Sequence, residues 1–324
     1  MFLMLFVGSA ALANDNTGTS GAVFLKIGPG ARPVAMGEAY TGVADDIHSI
    51  YWNPAGLGFL KRPELTGMHM QYFQAIKYEF AAFAYPTESQ GTWGFAVTNL
   101  HTDDLEARTE DTDASLGQFS ANDSAYWLSY AYPVSSRLSV GANLKYIRQT
   151  LNDVQANAYA TDGGLLYDTA WHDLRLGASM QNLGSRVKFV SESDPLPLTF
   201  RLGASAPVPL VSRNLRLASD LIMPRDHAMG VAVGGEYTGR LMDGLSYQVR
   251  SGYRTDSDVE GLSGVAAGGG LTFGRVSFDF AWVPFGELGN TYRYAIHIKF
   301  GAGDVEAQPN LQMQKARADD PLML

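Results

Sequence analysis

Between Leu65 and Phe300 the chain alternates. Its last segment sets Tyr292, Tyr294, Ile296, Ile298 and Phe300 on one face and Thr291, Arg293, Ala295, His297 and Lys299 on the other. Strict period-2 alternation is a β-strand with one apolar and one polar face. The segment before it opposes Val276, Phe278, Phe280 and Trp282 to Ser277, Asp279 and Ala281. Leu245, Tyr247, Val249 and Tyr253 oppose Ser246, Gln248, Arg250 and Arg254 in the same way, as do Leu138, Val140, Ala142, Leu144 and Tyr146 with Ser139, Asn143 and Lys145. About 14 such segments can be counted, each near the ~9–11 residues of a tilted membrane-spanning strand. They are 65–74, 77–86, 90–101, 123–132, 136–150, 157–169, 173–183, 198–206, 213–223, 228–237, 245–254, 263–273, 276–284 and 291–300. An even number suits a closed antiparallel barrel.

The connections test that reading. If the first strand runs outward, the long connections 102–122, 184–197 and 255–262 fall outside. The turns around Thr87-Glu88-Ser89, Val134-Ser135, Ala170-Trp171-His172 and Gly274-Arg275 fall on the periplasmic side. Long outer loops and short inner turns are the barrel rule. The brief first hairpin and the stretch 238–244 are exceptions. A soluble sandwich would also accept polar faces carrying Lys145, Arg175, Arg201, Asp220, Glu236, Arg250, Arg254, Asp279 and Arg293. Tyr126, Tyr130, Tyr132, Tyr253, Trp282 and Tyr292, near strand ends, favour interfacial girdles and hence a membrane barrel.

Residues 21–64 break the pattern. Gly28-Pro29-Gly30 reads as a turn, and Pro33 to Val43 as a short helix of small residues. In Asn53-Pro54-Ala55-Gly56-Leu57-Gly58, Asn53 is placed to accept backbone N–H bonds and Pro54 suits a first helical position. Gly56 or Gly58 is expected to end the turn with positive φ. Such irregular chain ahead of a barrel can fill its lumen as a plug, or form a periplasmic cap or loose arm. Upstream, apolar Phe2 to Ala13 ends in the A-x-A pattern Ala11-Leu12-Ala13 before Asn14, Asp15 and Asn16. This reads as a secretory signal peptide without its usual basic start, in preference to a buried first strand or helix.

Composition agrees with an exported β protein. Of 324 residues 46% are hydrophobic, yet mean hydropathy is only −0.09, and the chain has 35 glycines, 16 tyrosines and 16 phenylalanines. Beyond the N-terminus no apolar run approaches the ~20 residues of a spanning helix. A formal charge of −9 argues against a nucleic-acid partner. With no cysteine, disulfides, thiolate metal sites and thiol nucleophiles are excluded.

The stretch Phe24-Leu25-Lys26-Ile27-Gly28-Pro29-Gly30-Ala31-Arg32-Pro33-Val34-Ala35-Met36-Gly37-Glu38-Ala39 resembles the N-terminal signature of the PorV/PorQ family. So do Val43-Ala44-Asp45-Asp46 and Tyr51-Trp52-Asn53-Pro54-Ala55-Gly56-Leu57, whose Asn-Pro-Ala element is also similar to that of FadL-type outer-membrane barrels. The end from Gly289 to Gly301 resembles the last strand of the same family. The resemblance implies an all-β, fourteen-stranded transmembrane barrel with a plug. Its plug motif comprises Gly28, Gly30, Arg32, Met36, Gly37, Asp45, Asp46, Asn53, Pro54, Ala55 and Gly56. The expected organisation is a signal peptide (1–13), plug segment (14–64), barrel (65–300) and polar tail (301–324). The tail departs from the many outer-membrane chains that end on the final aromatic.

Chemistry is sparse. There is no G-x-S-x-G, H-E-x-x-H or phosphate loop, so no catalytic residue, cofactor or metal is expected. Gly268-Gly269-Gly270 reads as strand glycines that let another backbone approach, not as a nucleotide loop. Asp45, Asp46 and His48 could ligate a metal, but read better as a charge cluster paired to Arg32. The acidic run Asp103, Asp104, Glu106, Glu110, Asp111 and Asp113 lacks EF-hand spacing and reads as a solvated loop rather than a calcium site. The inward cations could attract a carboxylate headgroup, or pair with Asp220, Glu236 and Asp279. Two functions follow. PorV-type likeness implies protein export of the type IX kind, with secretion subunits and cargo as partners beside the lipid bilayer. FadL-type likeness implies uptake of hydrophobic small molecules such as long-chain fatty acids.

Overall fold

The computed structural model describes residues 18–72, 76–102, 105–107, 117–256 and 264–301, with side chains for all of these except 105–107 and 117–119. The expected signal peptide, nearly all of the tail and the acidic run lie outside the described residues or side chains. Fourteen strands close an antiparallel barrel: β1 (Glu64–Gln71), β2 (Ile76–Pro86), β3 (Thr92–Thr102), β6 (Ala121–Pro133), β7 (Leu138–Leu151), β8 (Val154–Asp168), β9 (Arg175–Gly184), β12 (Thr199–Val208), β13 (Ser212–Pro224), β14 (Gly230–Met242), β15 (Leu245–Arg254), β16 (Val265–Phe273), β17 (Val276–Pro284) and β18 (Asn290–Lys299). Two small hairpins stand in the long outer connections, β4 (Leu105–Ala107) with β5 (Gly117–Phe119) and β10 (Arg186–Lys188) with β11 (Ser193–Pro195). β1 pairs with β18 from Glu64↔Lys299 to Gln71↔Tyr292, so the sheet has no free edge. Closure satisfies the strand backbone internally, as lipid demands.

The two faces of the wall have opposite chemistry. Along β18, Thr291, Arg293, Ala295 and His297 are buried while Tyr292, Tyr294 and Ile296 are exposed. The outward row Leu65, Phe83, Phe95, Leu128, Leu144 is apolar throughout, each residue opposite the next in register. In water such a belt would cost stability; in hydrocarbon it is the favoured surface. Tyr126, Tyr130, Tyr132, Tyr253 and Tyr292 are exposed, and Trp282 is half-buried with its Nε1 donating to Asn290 Oδ1 at 3.0 Å. The barrel therefore spans a membrane.

Three expectations need correction. The stretch 238–244 is not a long inner loop: β14 continues to Met242 and turns through Asp243-Gly244. Its alternation is hidden because outward Gly239 carries no side chain and the ring of Tyr247, opposite in register, covers it. Likewise β7 and β8 run on to a tip at Asn152-Asp153, since polar Arg148, Thr150, Gln155 and Asn157 occupy the positions that are apolar lower down. The helix expected over 33–43 is only α1 (Ala31–Ala35), followed by turns.

Candidate functional site

The N-terminal segment from Ser20 to Pro63 packs against the inward side chains of the barrel. From Ala31 to Gly58 all but Arg32, Glu38 and Asp45 are buried. Its local structure is short: a 3-10 turn at Val23–Lys26, α1, α2 (Ser49–Trp52) and a 3-10 turn at Pro54–Phe59. Asn53 caps the last turn, its Oδ1 accepting from Ala55 N–H at 3.2 Å, with Pro54 in the first position. The Asn53 amide also donates to Thr41 O and, across to β8, to Leu165 O, both at 3.0 Å. Gly56 and Gly58 do not have positive φ; they sit inside the turn. They are glycines because a Cβ would strike Ala44 O and Ser139 Oγ respectively.

Close approach is the rule on the wall as well. A Cβ at Gly141 or Gly164 would collide with Asn53, Pro54 and Ala55, at Gly177 or Gly203 with Thr41 or Gly42, and at Gly234 or Gly252 with Met36. These six inward positions let segment backbone lie directly on strand backbone. Gly268 in the triple glycine belongs with them, facing Ala35, whereas its neighbour Gly269 meets no segment residue. Gly28 admits the Trp52 ring, and Gly30 (φ +92°) admits His48 while its N–H donates to Met68 Sδ at 3.0 Å.

Charges lock the deep part. Arg32 meets Asp45 at 2.6 Å, Asp46 at 2.8 Å and Glu236 of β14 at 2.8 Å. Arg250 extends the chain to Glu236 (2.7 Å) and Asp279 (2.5 Å). Burial alone would push Asp46 up, but His48 and Arg32 beside it hold it well below the usual carboxylate range. At the seam, Glu64 of β1 accepts from Ile47 N–H at 2.9 Å and lies 3.0 Å from His297 Nε2 of β18. The segment thus ties the first strand to the last. Asp220 accepts from Tyr40 and Thr41 N–H and pairs with Arg201 at 3.5 Å; Lys145 pairs with Asp162 at 2.8 Å and Arg175 with Asp168 at 2.5 Å. Among the described residues no cluster of metal-ligating side chains is present.

Toward the outer end the packing opens into a cavity of about 450 Å³. The N-terminal segment lines it with Val23, Phe24, Ile27, Gly28 and Glu38, and the barrel with Tyr72, Leu100, Asp123, Arg254, Phe285 and Arg293. Lys26, also on the lining, pairs with Asp226 at 2.7 Å. The motif residues build the deep anchorage, not this cavity: apart from Gly28, none of the expected plug residues lines it. The alternation of β18 already placed Arg293 on the inward face. That it meets Glu38 and Phe285 around one space is a matter of tertiary structure.

The toluene transporter TbuX of Ralstonia pickettii superposes with a TM-score of 0.58 at 14% identity, covering 85% of this chain and 99% of its own. A FadL homologue of Pseudomonas aeruginosa gives 0.52 at 11% identity, covering 90% and 100%. The fold is FadL-like. The monoaromatic hydrocarbon channel CymD gives 0.56 at 12% identity, covering 84% of this chain and 97% of its own. The protein is accordingly a membrane-spanning barrel with a FadL-like fold. In sequence, the model of the uncharacterised protein family UPF0164 matches residues 8–164, from before the N-terminal segment into β8. No curated protein matches in sequence.

Proposed function

We propose that this FadL-like barrel is a plugged, non-enzymatic channel that admits hydrophobic small molecules through the outer membrane. The observation that carries this reading is the mouth cavity above a densely anchored segment. Its volume falls within the ~300–1,000 Å³ of small-molecule sites, and its lining mixes apolar surface with a few charged groups. The Ser20–Pro63 segment acts as the plug, closing the lumen below. The named neighbours are a toluene transporter and a monoaromatic hydrocarbon channel, which supports the same reading. Export of the PorV kind rests on the motif resemblance alone, and this cavity is sized for a small molecule rather than a protein cargo.

The test is uptake. Vesicles reconstituted with the protein should take up labelled toluene or a labelled long-chain fatty acid faster than protein-free vesicles. Equal rates for both solutes would sink the channel reading. Recovery of secretion subunits or cargo with the protein from native membranes would favour export instead.

A further inference from the structure

The mouth cavity holds charges that a bare hydrocarbon does not explain. Among the described residues, Arg32, Arg175, Arg201, Arg250 and Arg254 each lie within 4.0 Å of a carboxylate. Arg293 does not. It is 3% exposed, its Nη1 donates only to Thr291 Oγ1 at 3.3 Å, and its buried Nε has no hydrogen-bond partner. A guanidinium so placed is costly unless something with an acceptor oxygen comes to it.

An acidic group stands in the same cavity. Glu38 has φ +67° directly after Gly37 at φ +63°, a left-handed pair that is strained at the glutamate. The turn delivers its carboxylate to the cavity lining, where Oε2 pairs with Arg254 and lies 4.0 Å from Arg201 Nη1, and Oε1 takes no donor among the described residues. Glu38 and Arg293 are not within ion-pair distance of each other. Beside them the rings of Tyr72 and Phe285 meet edge to face at 5.7 Å and line the same space. Aromatic rings next to a carboxylate are the usual surroundings of a bound ammonium group.

We propose that the cavity receives a single-chain amphiphile with a zwitterionic headgroup. Its anionic oxyacid group meets Arg293, its ammonium lies between Glu38 and the Tyr72–Phe285 pair, and its chain rests on Phe24 and Ile27. This rests on the channel reading and narrows it to a substrate class. A plain carboxylate amphiphile would satisfy Arg293 alone, an alkylamine Glu38 alone, and a hydrocarbon neither.

The experiment is titration calorimetry of the full protein in nanodiscs. The probes are a lysophosphatidylethanolamine, a fatty acid and an alkylamine of equal chain length, and free glycerophosphoethanolamine. The zwitterionic lipid should bind at least about tenfold tighter than the fatty acid or the amine, and the free headgroup should bind weakly. Arg293→Gln should weaken both the zwitterionic lipid and the fatty acid. Glu38→Gln should weaken the zwitterionic lipid and the amine but spare the fatty acid, a split that a merely structural role would not produce. Heat-modifiable migration on gels checks that both variants fold. Equal affinity for the fatty acid and the zwitterionic lipid overturns the headgroup assignment and leaves the channel reading standing. A free headgroup that binds as tightly as the lipid overturns the chained ligand. If no probe binds while vesicle uptake persists, only this inference falls; if uptake fails too, the channel reading falls with it.

Discussion

Two arginines in the lumen, Arg32 and Arg293, are kept in opposite ways. Arg32 lies deep, between Asp45, Asp46 and Glu236, with each carboxylate within 2.8 Å. Arg293, nearer the mouth, is more deeply buried and has a hydroxyl as its one hydrogen-bond partner among the described residues. Since a buried charge is tolerated when paired and costly when not, the first arrangement belongs to a fixed joint and the second to a binding place. The same division runs through the segment they touch. From Arg32 to Gly58 it is pressed onto wall glycines and crossed by ion pairs. From Val23 to Gly28 it is held by fewer bonds, chiefly Tyr51 Oη to Leu25 O at 2.8 Å, Tyr78 Oη to Ile27 O at 3.0 Å and the Lys26–Asp226 pair.

The sharpest way to break this contrast is Arg32→Met. Stripping the cation from three carboxylates should cost about 3–5 kcal/mol, read as a fall in the urea midpoint of the folded barrel. A loss below about 1 kcal/mol would mean that backbone packing, not charge, holds the segment. Next comes Gly252→Leu, which drives a side chain into Met36 and should cost about 1–3 kcal/mol. It should also raise ion conductance in planar bilayers as the segment is displaced. Gly67→Val is the control, since its outward Cβ would meet nothing within 4 Å. Asn53→Ala removes a cap and two bonds to carbonyls and should cost about 1–2 kcal/mol by the same urea measurement.

A smaller effect comes from pH. Asp46 is held low in the folded protein, so its contribution is complete above the unfolded value of about 4 and is lost as the pH falls below that. Fluorescence of the fully buried Trp52 should stay constant from pH 7 to 5 and change only in stronger acid. Change between pH 7 and 5 would count against Asp46 as the group responsible. Smallest of all is Arg293→Met, expected to leave the unliganded protein within about 1 kcal/mol of wild type or to stabilise it, because no charged partner is orphaned among the described residues. A large loss there would erase the distinction between the two arginines.

Much of the barrel is legible in the chain because membrane strands obey a local rule. A side chain that faces lipid must be apolar and its neighbour need not be, so the strand boundaries read from alternation lie close to those observed. The rule fails where the outward face leaves hydrocarbon, as at the β7–β8 tip, or where a ring covers a glycine, as at Gly239. The motif residues from Gly28 to Gly56 announced a compact segment and the pairing of Arg32 with Asp45 and Asp46, but not their partners on the barrel wall. Glu236 and Gly252 stand some two hundred residues away in sequence, and no periodicity couples them to Arg32 or Met36.

From the sequence alone came the class of fold, the inward face of the strands whose alternation is strict and the presence of a special N-terminal segment, since each depends on nearest neighbours along the chain. Which charges of the barrel wall are paired, and with what, was decided only by the tertiary structure. Pairing depends on which strands the closed wall brings to the same depth and on where a glycine turn delivers Glu38. That is why Arg32 and Arg293 differ in the folded protein, one satisfied and the other facing open space.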